Sequence, residues 1–351
     1  MASEQGKHLV SKHLTAAVCI GTYNQAQYLR GSIESALAQV YPIEEIWIAD
    51  DCSTDDTQAI VQEYCERYPN VHYHRHDSNV GPARNLSWAL ARPSTDLVVR
   101  LDSDDRLEPE YVSVLAGLMQ KYPQAGYAHC DVWEMNGEGK RTRLRQLTRT
   151  AEYEDSEHAL KSNGRVLRVA ANCILFRSVA IRQANYYLEH PTWTACEDWD
   201  LALRMILKGW GNVYAPKTLT NYRQWDDPKG VRAYRKIQEV STNTHIFTQV
   251  LIPEYTKRGW DTAPLKQCMR EKAVGFADSL DSPQFSEQDR QEYRTYLKEL
   301  GDSQALKVAI LFADIGLNPA VRAWKRAKKR ARDFVKRILR MVRPVRAVTA
   351  L

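Results

Sequence analysis

The sequence lacks the features of membrane-spanning, secreted and disulfide-stabilised proteins. No apolar run reaches the roughly 18 residues of a membrane span, and the opening stretch MASEQGKHLVSKHLTA has no apolar core of a secretory signal peptide. The seven cysteines are widely spaced and form no CxxC pair, which argues against a disulfide framework and against a zinc site. These absences predict a cytoplasmic protein with reduced thiols.

Repeats and low-complexity tracts are also absent, and the composition is that of an ordinary globular protein. Of the 351 residues, 44% are hydrophobic and 26% are charged, which suits one large domain or two moderate ones. The net charge is +6, but from Arg322 to Arg346 there are twelve Lys or Arg residues and one acid, Asp333. The rest of the chain is therefore net acidic.

The basic segment, which we place at residues 319–351, has the pattern of an amphipathic helix. Between its cationic residues, apolar side chains recur at helical spacing: Ala327, Ala331, Phe334, Val335, Ile338, Leu339, Val342 and Val345. Such a helix favours an anionic membrane surface. Packing or oligomerisation is the alternative. Nucleic acid is not expected as a partner, because the remaining chain is acidic and shows no nucleic-acid-binding module.

Strand-like and helix-like segments alternate through the first 120 residues. In order they are AAVCIGTYN, QYLRGSIESALAQ, EIWIADD, STDDTQAIVQEYCERY, VHYH, ARNLSWALA and LVVRLD. This order predicts an α/β, Rossmann-like fold, with a mainly parallel sheet flanked by helices.

The alternation weakens beyond residue 125. AGYAHCDVWEM and VLRVAANCILFR read as further strands, separated by a loop or flexible insert at 137–165, and CEDWDLALRMILKGW reads as a helix. After about Asp226 the chain becomes mostly helical. We therefore predict an α/β domain at 1–225, a helical C-terminal subdomain at 226–318 and the basic tail.

Polar residues follow three of the predicted strands. They are Tyr23 and Asn24 after the first, Asp50 and Asp51 at the end of the second, and Asp102, Asp104 and Asp105 at the end of the fourth. Ligands of such sheets bind beyond the carboxyl ends of the strands, so all three groups could face one crevice. The crowded carboxylates indicate either a solvated turn or a divalent cation that carries phosphate oxygens.

Five segments in this order and spacing resemble the family 2 glycosyltransferases with the GT-A fold. They are CIGTYNQAQYLRGSIESALAQ, IWIADDCSTDDT, NVGPARNLSWALA, LVVRLDSDD and EDWDLALRMILKGW, and the resemblance covers roughly residues 15–225. It implies that residues 1–225 form a catalytic domain that binds a nucleotide-sugar donor. It also implies a divalent metal, Mn²⁺ or Mg²⁺, and inversion at the anomeric carbon.

The resemblance also implies roles on the donor side. Asp51 would accept the ring N–H of the base, Tyr23 could stack on that base beside Asn24, and Arg84 would help to hold the nucleotide unless it is simply a solvated helix residue. Asp102 would bond the ribose or assist the metal.

The metal itself would be held mainly by Asp104. Asp104 would ligate Mn²⁺ or Mg²⁺ bridging the diphosphate, and Asp105 would support the metal site or the donor sugar. The metal replaces the protonated carboxyl that a glycoside hydrolase needs, so one carboxylate base suffices on the acceptor side.

The resemblance places that base at Asp198 in CEDWD, with Glu197 as second candidate and Asp200 as a further rival. The alternative is an ordinary acidic first helical turn. The flanking Trp193 and Trp199 either stack on an acceptor sugar or are buried. Arg223, in NYRQW, could contact the diphosphate or order a loop.

The QxxRW pattern of processive synthases is absent, which favours transfer of a single sugar. We therefore expect a glycosyltransferase of cell-surface polysaccharide or lipopolysaccharide assembly, peripheral on the inner face of the cytoplasmic membrane, with a glycan or lipid-linked glycan acceptor. A UDP-sugar is the first expectation for the donor, with dTDP- and GDP-sugars as alternatives.

Two other functions stay open. A sugar-1-phosphate nucleotidyltransferase would carry a Gly- and Lys/Arg-rich phosphate loop, which GTYNQAQYLR does not resemble, and a non-catalytic scaffold could bind nucleotide sugar or membrane.

Overall fold

The computed structural model describes residues 13–170, 173–188, 196–224, 231–318 and 320. The chain divides into two compact units between residues 228 and 229. The predicted boundary at 225/226 and residues 321–351 of the basic tail lie outside the described residues.

All strands of the described residues belong to one mixed sheet in the first unit. They are β1 (Ala16–Thr22), β2 (Glu45–Asp50), β3 (Val71–Arg75), β4 (Leu97–Asp102), β5 (Arg106–Leu107), β6 (Ala125–Met135), β7 (Arg141–Arg145), β8 (Tyr153–Glu154), β9 (Ile174–Arg177) and β10 (Gly211–Arg223).

The first unit carries seven helices in its described part. They are α1 (Ala26–Leu37), α2 (Thr57–Arg67), α3 (Pro82–Leu90), α4 (Tyr111–Lys121), α5 (Ser156–Ser162), α6 (Ser178–Gln183) and α7 (Glu197–Leu207).

The described part of the second unit is helical. Its elements are α8 (Val231–His245), a π-helical turn (Ile246–Leu251), α9 (Ile252–Lys257), α10 (Ala263–Phe276), a 3₁₀ turn (Ala277–Ser279), α11 (Glu287–Gly301) and α12 (Gln304–Asp314). Helix α11 begins with a capping box: Asp289 N–H donates to Ser286 Oγ over 3.1 Å, and Ser286 N–H donates to the Asp289 carboxylate over 2.8 Å. Within the described ranges, no helix is both long and apolar enough to cross a membrane.

The sheet order is β3-β2-β1-β4-β9-β6-β10-β5. Strands β3, β2, β1 and β4 are parallel neighbours, β10 pairs in parallel with β6, and β9 runs antiparallel between β4 and β6. This arrangement confirms the predicted α/β class, with helices on both faces of the sheet.

Alternate residues of the central strands feed two apolar layers. In β1, Val18 and Ile20 pack in the layer of α1, α2 and α4, whereas Cys19 packs with residues of α3, α6 and α7. Because side chains alternate across a strand, β1 must be apolar at every position to fill both layers. This explains the unbroken run AAVCIG.

Two predictions from the sequence need correction. The stretch 137–165 is not simply a loop, because β7, β8 and α5 lie within it. In the described part of VLRVAANCILFR, which leaves out residues 171 and 172, only Ile174–Arg177 is a strand. The charged and glycine-interrupted pattern of these segments conceals short elements that are stabilised by pairing with β6, β10 and β4.

Candidate active site

The carboxyl ends of β1, β2 and β4 meet at one edge of the sheet. Thr22 pairs with Asp50 across β1 and β2, and Gly21 pairs with Asp102 across β1 and β4. The polar residues that follow the three strands therefore cluster as the sequence predicted.

The loops after β1 and β2 are tied together by Asn24. Asn24 N–H donates to Ser53 Oγ over 2.9 Å, and Thr54 N–H donates to Asn24 Oδ1 over 2.8 Å. Asn24 has a φ of 51°, a left-handed conformation that asparagine tolerates. The neighbouring Tyr23 is 48% exposed, so its ring is available to stack on a base.

Asp51 is buried and already engaged with the loop before α3. Its Oδ1 accepts Val80 N–H over 2.6 Å and its Oδ2 accepts Gly81 N–H over 3.0 Å. Gly81 has a φ of 87°, a conformation that favours glycine, and it directly precedes Pro82 at the start of α3. A carboxylate has about four lone-pair sites, so Asp51 retains capacity to accept one further N–H.

Arg84 lies exposed in the first turn of α3. Asp50, in contrast, is fully buried: its Oδ1 accepts Ser53 N–H over 2.9 Å and its Oδ2 accepts Tyr73 O–H over 2.7 Å. Asp50 therefore stabilises the strand end, whereas Arg84 is accessible to a ligand.

The three carboxylates after β4 differ sharply in exposure. Asp102 and Asp104 are partly exposed, whereas Asp105 is fully buried. The Asp105 carboxylate accepts Arg223 N–H over 2.8 Å and the Cys173 thiol over 3.5 Å. Burial, together with the charges of Asp104 and Asp102, raises the pKa of Asp105 well above its usual range. This placement argues against direct metal ligation by Asp105 and favours a supporting role.

Asp104 and Asp102 remain as the accessible carboxylates. No group of three or more His, Cys, Asp or Glu side chains in the described part of the chain could hold a metal ion. Two carboxylates nevertheless fit Mg²⁺ or Mn²⁺, because such ions take one or two carboxylates and complete their shell with water and substrate phosphates. Any metal here would therefore depend on the phosphates of a bound nucleotide.

Arg223 is buried and orders a loop. Its Nε donates to Asp104 O over 2.8 Å, and its Nη1 donates to Asn136 O over 2.9 Å and Gly137 O over 2.8 Å. Its guanidinium also lies 4.2 Å from the ring centroid of Tyr28. Of the two roles expected from the sequence, loop ordering fits these contacts, and contact with the diphosphate stays a prediction.

Asp198 lies in the first turn of α7 and is joined to Asp102, at the end of β4, through Arg100. Tyr187 O–H donates to Asp198 Oδ1 over 2.7 Å, and Arg100 Nη1 donates to the same oxygen. Arg100 Nε donates to Asp102 Oδ1 over 3.0 Å. Burial opposes the charge of Arg100, but Asp102 and Asp198 raise the pKa of its guanidinium well above the ordinary value. The predicted donor and acceptor sides thus share one guanidinium.

The other acidic residues of α7 are placed differently. Asp200 is buried and forms an ion pair with Arg204, with an Nε–Oδ2 distance of 2.7 Å, which removes it as a rival base. Glu197 is partly exposed. Trp199 is buried and its indole N–H donates to Asn163 O over 2.8 Å, so it does not offer a stacking face. Trp193 lies outside the described residues.

Arg100 and Tyr187 were not predicted from the sequence. Arg100 could have been found from the pattern LVVRLD, because a charged residue inside a buried apolar strand requires a partner. Tyr187 carries no such signal. Its contacts with Arg100 and Asp198 depend on the packing of α3, α6 and α7 against the sheet.

Residues 17–183 match the family model described as Glycosyl transferase family 2. Part of the chain is similar to the chondroitin synthase of Escherichia coli, with 37% identity over 99 residues, which is 28% of this chain and 14% of that synthase. The match thus spans a small part of that relative's length.

Two solved structures share the fold. Staphylococcus aureus TarS 1–349 in complex with UDP-GlcNAc has a TM-score of 0.61 at 16% identity, covering 91% of this chain and 92% of that one. The mannosyltransferase PcManGT from Pyrobaculum calidifontis, in complex with GDP-Man and Mn²⁺, has a TM-score of 0.51 at 16% identity, covering 89% and 83%. The GT-A fold that the sequence predicted is confirmed.

Proposed function

We propose, from the match of residues 17–183 to the family model described as Glycosyl transferase family 2, that the whole protein is a metal-dependent, inverting glycosyltransferase. It moves one sugar from a nucleotide-sugar donor to an acceptor hydroxyl on a growing cell-surface polysaccharide or lipopolysaccharide. The observation that carries this proposal is the meeting of Asp102 and Asp198 on the guanidinium of Arg100. It brings a donor-side carboxylate and a base candidate into one site.

The donor nucleotide would lie over the ends of β1 and β2. The exposed ring of Tyr23 stacks on the base, and Asp51 accepts its ring N–H while holding Val80 and Gly81. Arg84, at the start of α3, faces the phosphates. Because uracil, thymine and guanine each carry a ring N–H, this contact is compatible with UDP-, dTDP- and GDP-sugars.

Asp104 and Asp102 would hold Mn²⁺ or Mg²⁺ together with the diphosphate. The bound metal supplies Lewis-acid stabilisation of the leaving diphosphate. The complexes of TarS with UDP-GlcNAc and of PcManGT with GDP-Man and Mn²⁺ support a nucleotide-sugar donor in this fold.

Asp198 would accept the proton of the acceptor hydroxyl, with Glu197 as second candidate. Its Oδ1 is occupied by Arg100 and Tyr187, whereas its Oδ2 accepts no hydrogen bond from the described residues. Oδ2 is therefore the atom that can face an incoming hydroxyl.

We also propose attachment to the inner face of the cytoplasmic membrane, where a lipid-linked acceptor would be presented. The basic sequence between Arg322 and Arg346 supports it, because each Lys or Arg near an anionic surface contributes about 1 kcal/mol. Helix α12 supports it too. Beside and within that helix, large apolar side chains are exposed: Val308, Leu311, Ile315 and Leu317.

Thermal unfolding with a panel of nucleotides tests the donor and metal proposals. UDP, dTDP, GDP and CMP are each added with and without Mn²⁺ to the wild type and to Asp104→Asn. A ligand that binds only the folded state raises its stability, by about 2.7 kcal/mol at one hundred times its dissociation constant. We expect a Mn²⁺-dependent rise in melting temperature for one nucleotide, lost in Asp104→Asn. Asp289→Asn, in the α11 capping box, is the control for a general loss of charge. No rise with any nucleotide in the wild type would contradict the proposed function.

A further inference from the structure

Arg100 occupies a position where a charged side chain is costly. It lies in β4, 6% exposed, and β4 residues two apart face the same side of the sheet. Val98, two residues earlier, packs among apolar residues of α3, α6 and α7. A guanidinium beside that layer needs close anionic partners to offset its lost hydration.

The partners of Arg100 come from two different parts of the chain. Nε and Nη2 lie 3.0 and 3.4 Å from the two carboxylate oxygens of Asp102, and Nη1 donates to Asp198 Oδ1 and, over 2.9 Å, to Tyr187 Oη. The guanidinium thus binds Asp102 along the edge formed by Nε and Nη2, and it binds Asp198 and Tyr187 through Nη1. A lysine ammonium at the same place is a compact point charge and cannot reproduce this geometry.

We propose that Arg100 is a positioning residue for glycosyl transfer: its guanidinium fixes the Asp198 carboxylate relative to the donor-side Asp102, so that Asp198 Oδ2 is presented to the acceptor. The inference deepens the proposed function and rests on it. Tyr187 completes the arrangement by donating to the same Asp198 oxygen as Arg100.

A purely structural role makes a different prediction. If Arg100 only neutralised the neighbouring carboxylates, any cation of similar length would serve, and loss of activity would follow loss of stability. If it positions Asp198, a lysine should retain the fold and donor binding but lower turnover. Misplacement of a catalytic group by about 1 Å can cost about 100-fold in rate.

The experiment measures release of nucleoside diphosphate from UDP-, dTDP- and GDP-sugars by the full chain. For Arg100→Lys we expect kcat to fall by about 100-fold while KM for the donor stays within about threefold. For Arg100→Ala we expect a larger loss, partly restored by added guanidinium ion. Such rescue is specific to the missing group and would not follow from general destabilisation.

Arg177→Lys is the matched control. Arg177 is also a partly buried arginine of the first unit: its Nε donates to Ala125 O over 2.9 Å and its Nη2 donates to Met119 O over 2.7 Å. It ends β9, which pairs with the start of β4, and none of its hydrogen bonds reaches Asp198. We expect Arg177→Lys to lower the melting temperature at least as much as Arg100→Lys, with kcat close to that of the wild type.

The outcomes separate the two claims. A wild type that turns over a nucleotide sugar, with Arg100→Lys equally active, overturns the positioning role and leaves the proposed function intact. Equal losses of kcat in Arg100→Lys and Arg177→Lys overturn it as well. A wild type that cleaves no nucleotide sugar contradicts the proposed function, and with it this inference.

Discussion

Three buried charged or titratable side chains at or beside the sheet have close contacts. Arg100 is shared by Asp102 and Asp198, Asp105 accepts a backbone amide and a thiol, and Arg149 lies against His129 in β6. Since an unpaired buried charge is strongly destabilising, these contacts limit which substitutions the fold tolerates. At the site, they also fix the orientation of the carboxylates.

The burial of His129 beside Arg149 should make the free energy of unfolding depend on pH. It is 1% exposed, and burial together with the charge of Arg149 lowers the pKa of His129 to about 3. In the unfolded chain a histidine titrates at about 6.5. The neutral imidazole therefore stabilises the fold fully above about pH 6.5, and this contribution is lost as the pH falls towards 3.

We expect His129→Gln, which cannot titrate, to reduce this acid sensitivity. Between about pH 7 and about pH 5.5 the wild type should lose about 1 kcal/mol more unfolding free energy than the variant. Urea unfolding at the two pH values measures the difference, and carboxylate effects cancel because both proteins share them. If the wild type and His129→Gln lose the same unfolding free energy between the two pH values, the pKa of His129 does not differ between the folded and unfolded states, which contradicts the prediction.

At the scale of elements, the sequence was most informative where periodicity was long. Strand β1, helix α1 and helix α7 lie where AAVCIGTYN, QYLRGSIESALAQ and CEDWDLALRMILKGW predict them. Strands β7, β8 and β9 were missed or misplaced, because short strands take their stability from neighbours rather than from their own pattern. The local sequence of a short strand does not indicate which distant strand it pairs with.

The basic segment after α12 leads to a prediction about membranes. Reversing three of its charges, Lys328, Lys329 and Arg330, to Glu should weaken sedimentation of the full chain with vesicles of anionic lipid. At about 1 kcal/mol for each lost cation, affinity should fall by about 100-fold or more. Vesicles of neutral phosphatidylcholine should bind both proteins weakly.

The control reverses three exposed lysines elsewhere in the second unit, Lys257, Lys266 and Lys298. The change of net charge is the same, so a loss confined to the tail variant identifies the tail as the binding segment. Equal binding of wild type and tail variant to anionic vesicles would rule out the proposed attachment.

At the scale of the whole molecule, much of the candidate site could be predicted from the first unit alone. The rule that parallel strands present their carboxyl ends at one edge correctly grouped Tyr23, Asn24, Asp51 and Asp102. It could not reveal that Asp105 and Arg223 are buried. Their burial follows from long-range contacts such as Arg223 N–H to Asp105 Oδ1, between residues 118 positions apart.

The contact between Asp198 and Arg100, 98 positions apart, is equally invisible in the sequence. The family resemblance suggested both carboxylates of the site, but it gave no role to Arg100, although that residue lies within LVVRLDSDD. Only the structure shows that the start of α7 contacts β4, through the hydrogen bond from Arg100 to Asp198.

Turnover by Asp198→Asn, compared with donor binding by the same variant, tests the central claim most directly. The amide is nearly isosteric but cannot accept the acceptor proton, so we expect kcat to fall by about 100-fold or more, with the nucleotide-dependent rise in melting temperature retained. Glu197→Gln is the paired control and should lose far less. Undiminished turnover in Asp198→Asn would contradict the assignment of Asp198 as the base. So would a fall in kcat of about 100-fold in Glu197→Gln but not in Asp198→Asn.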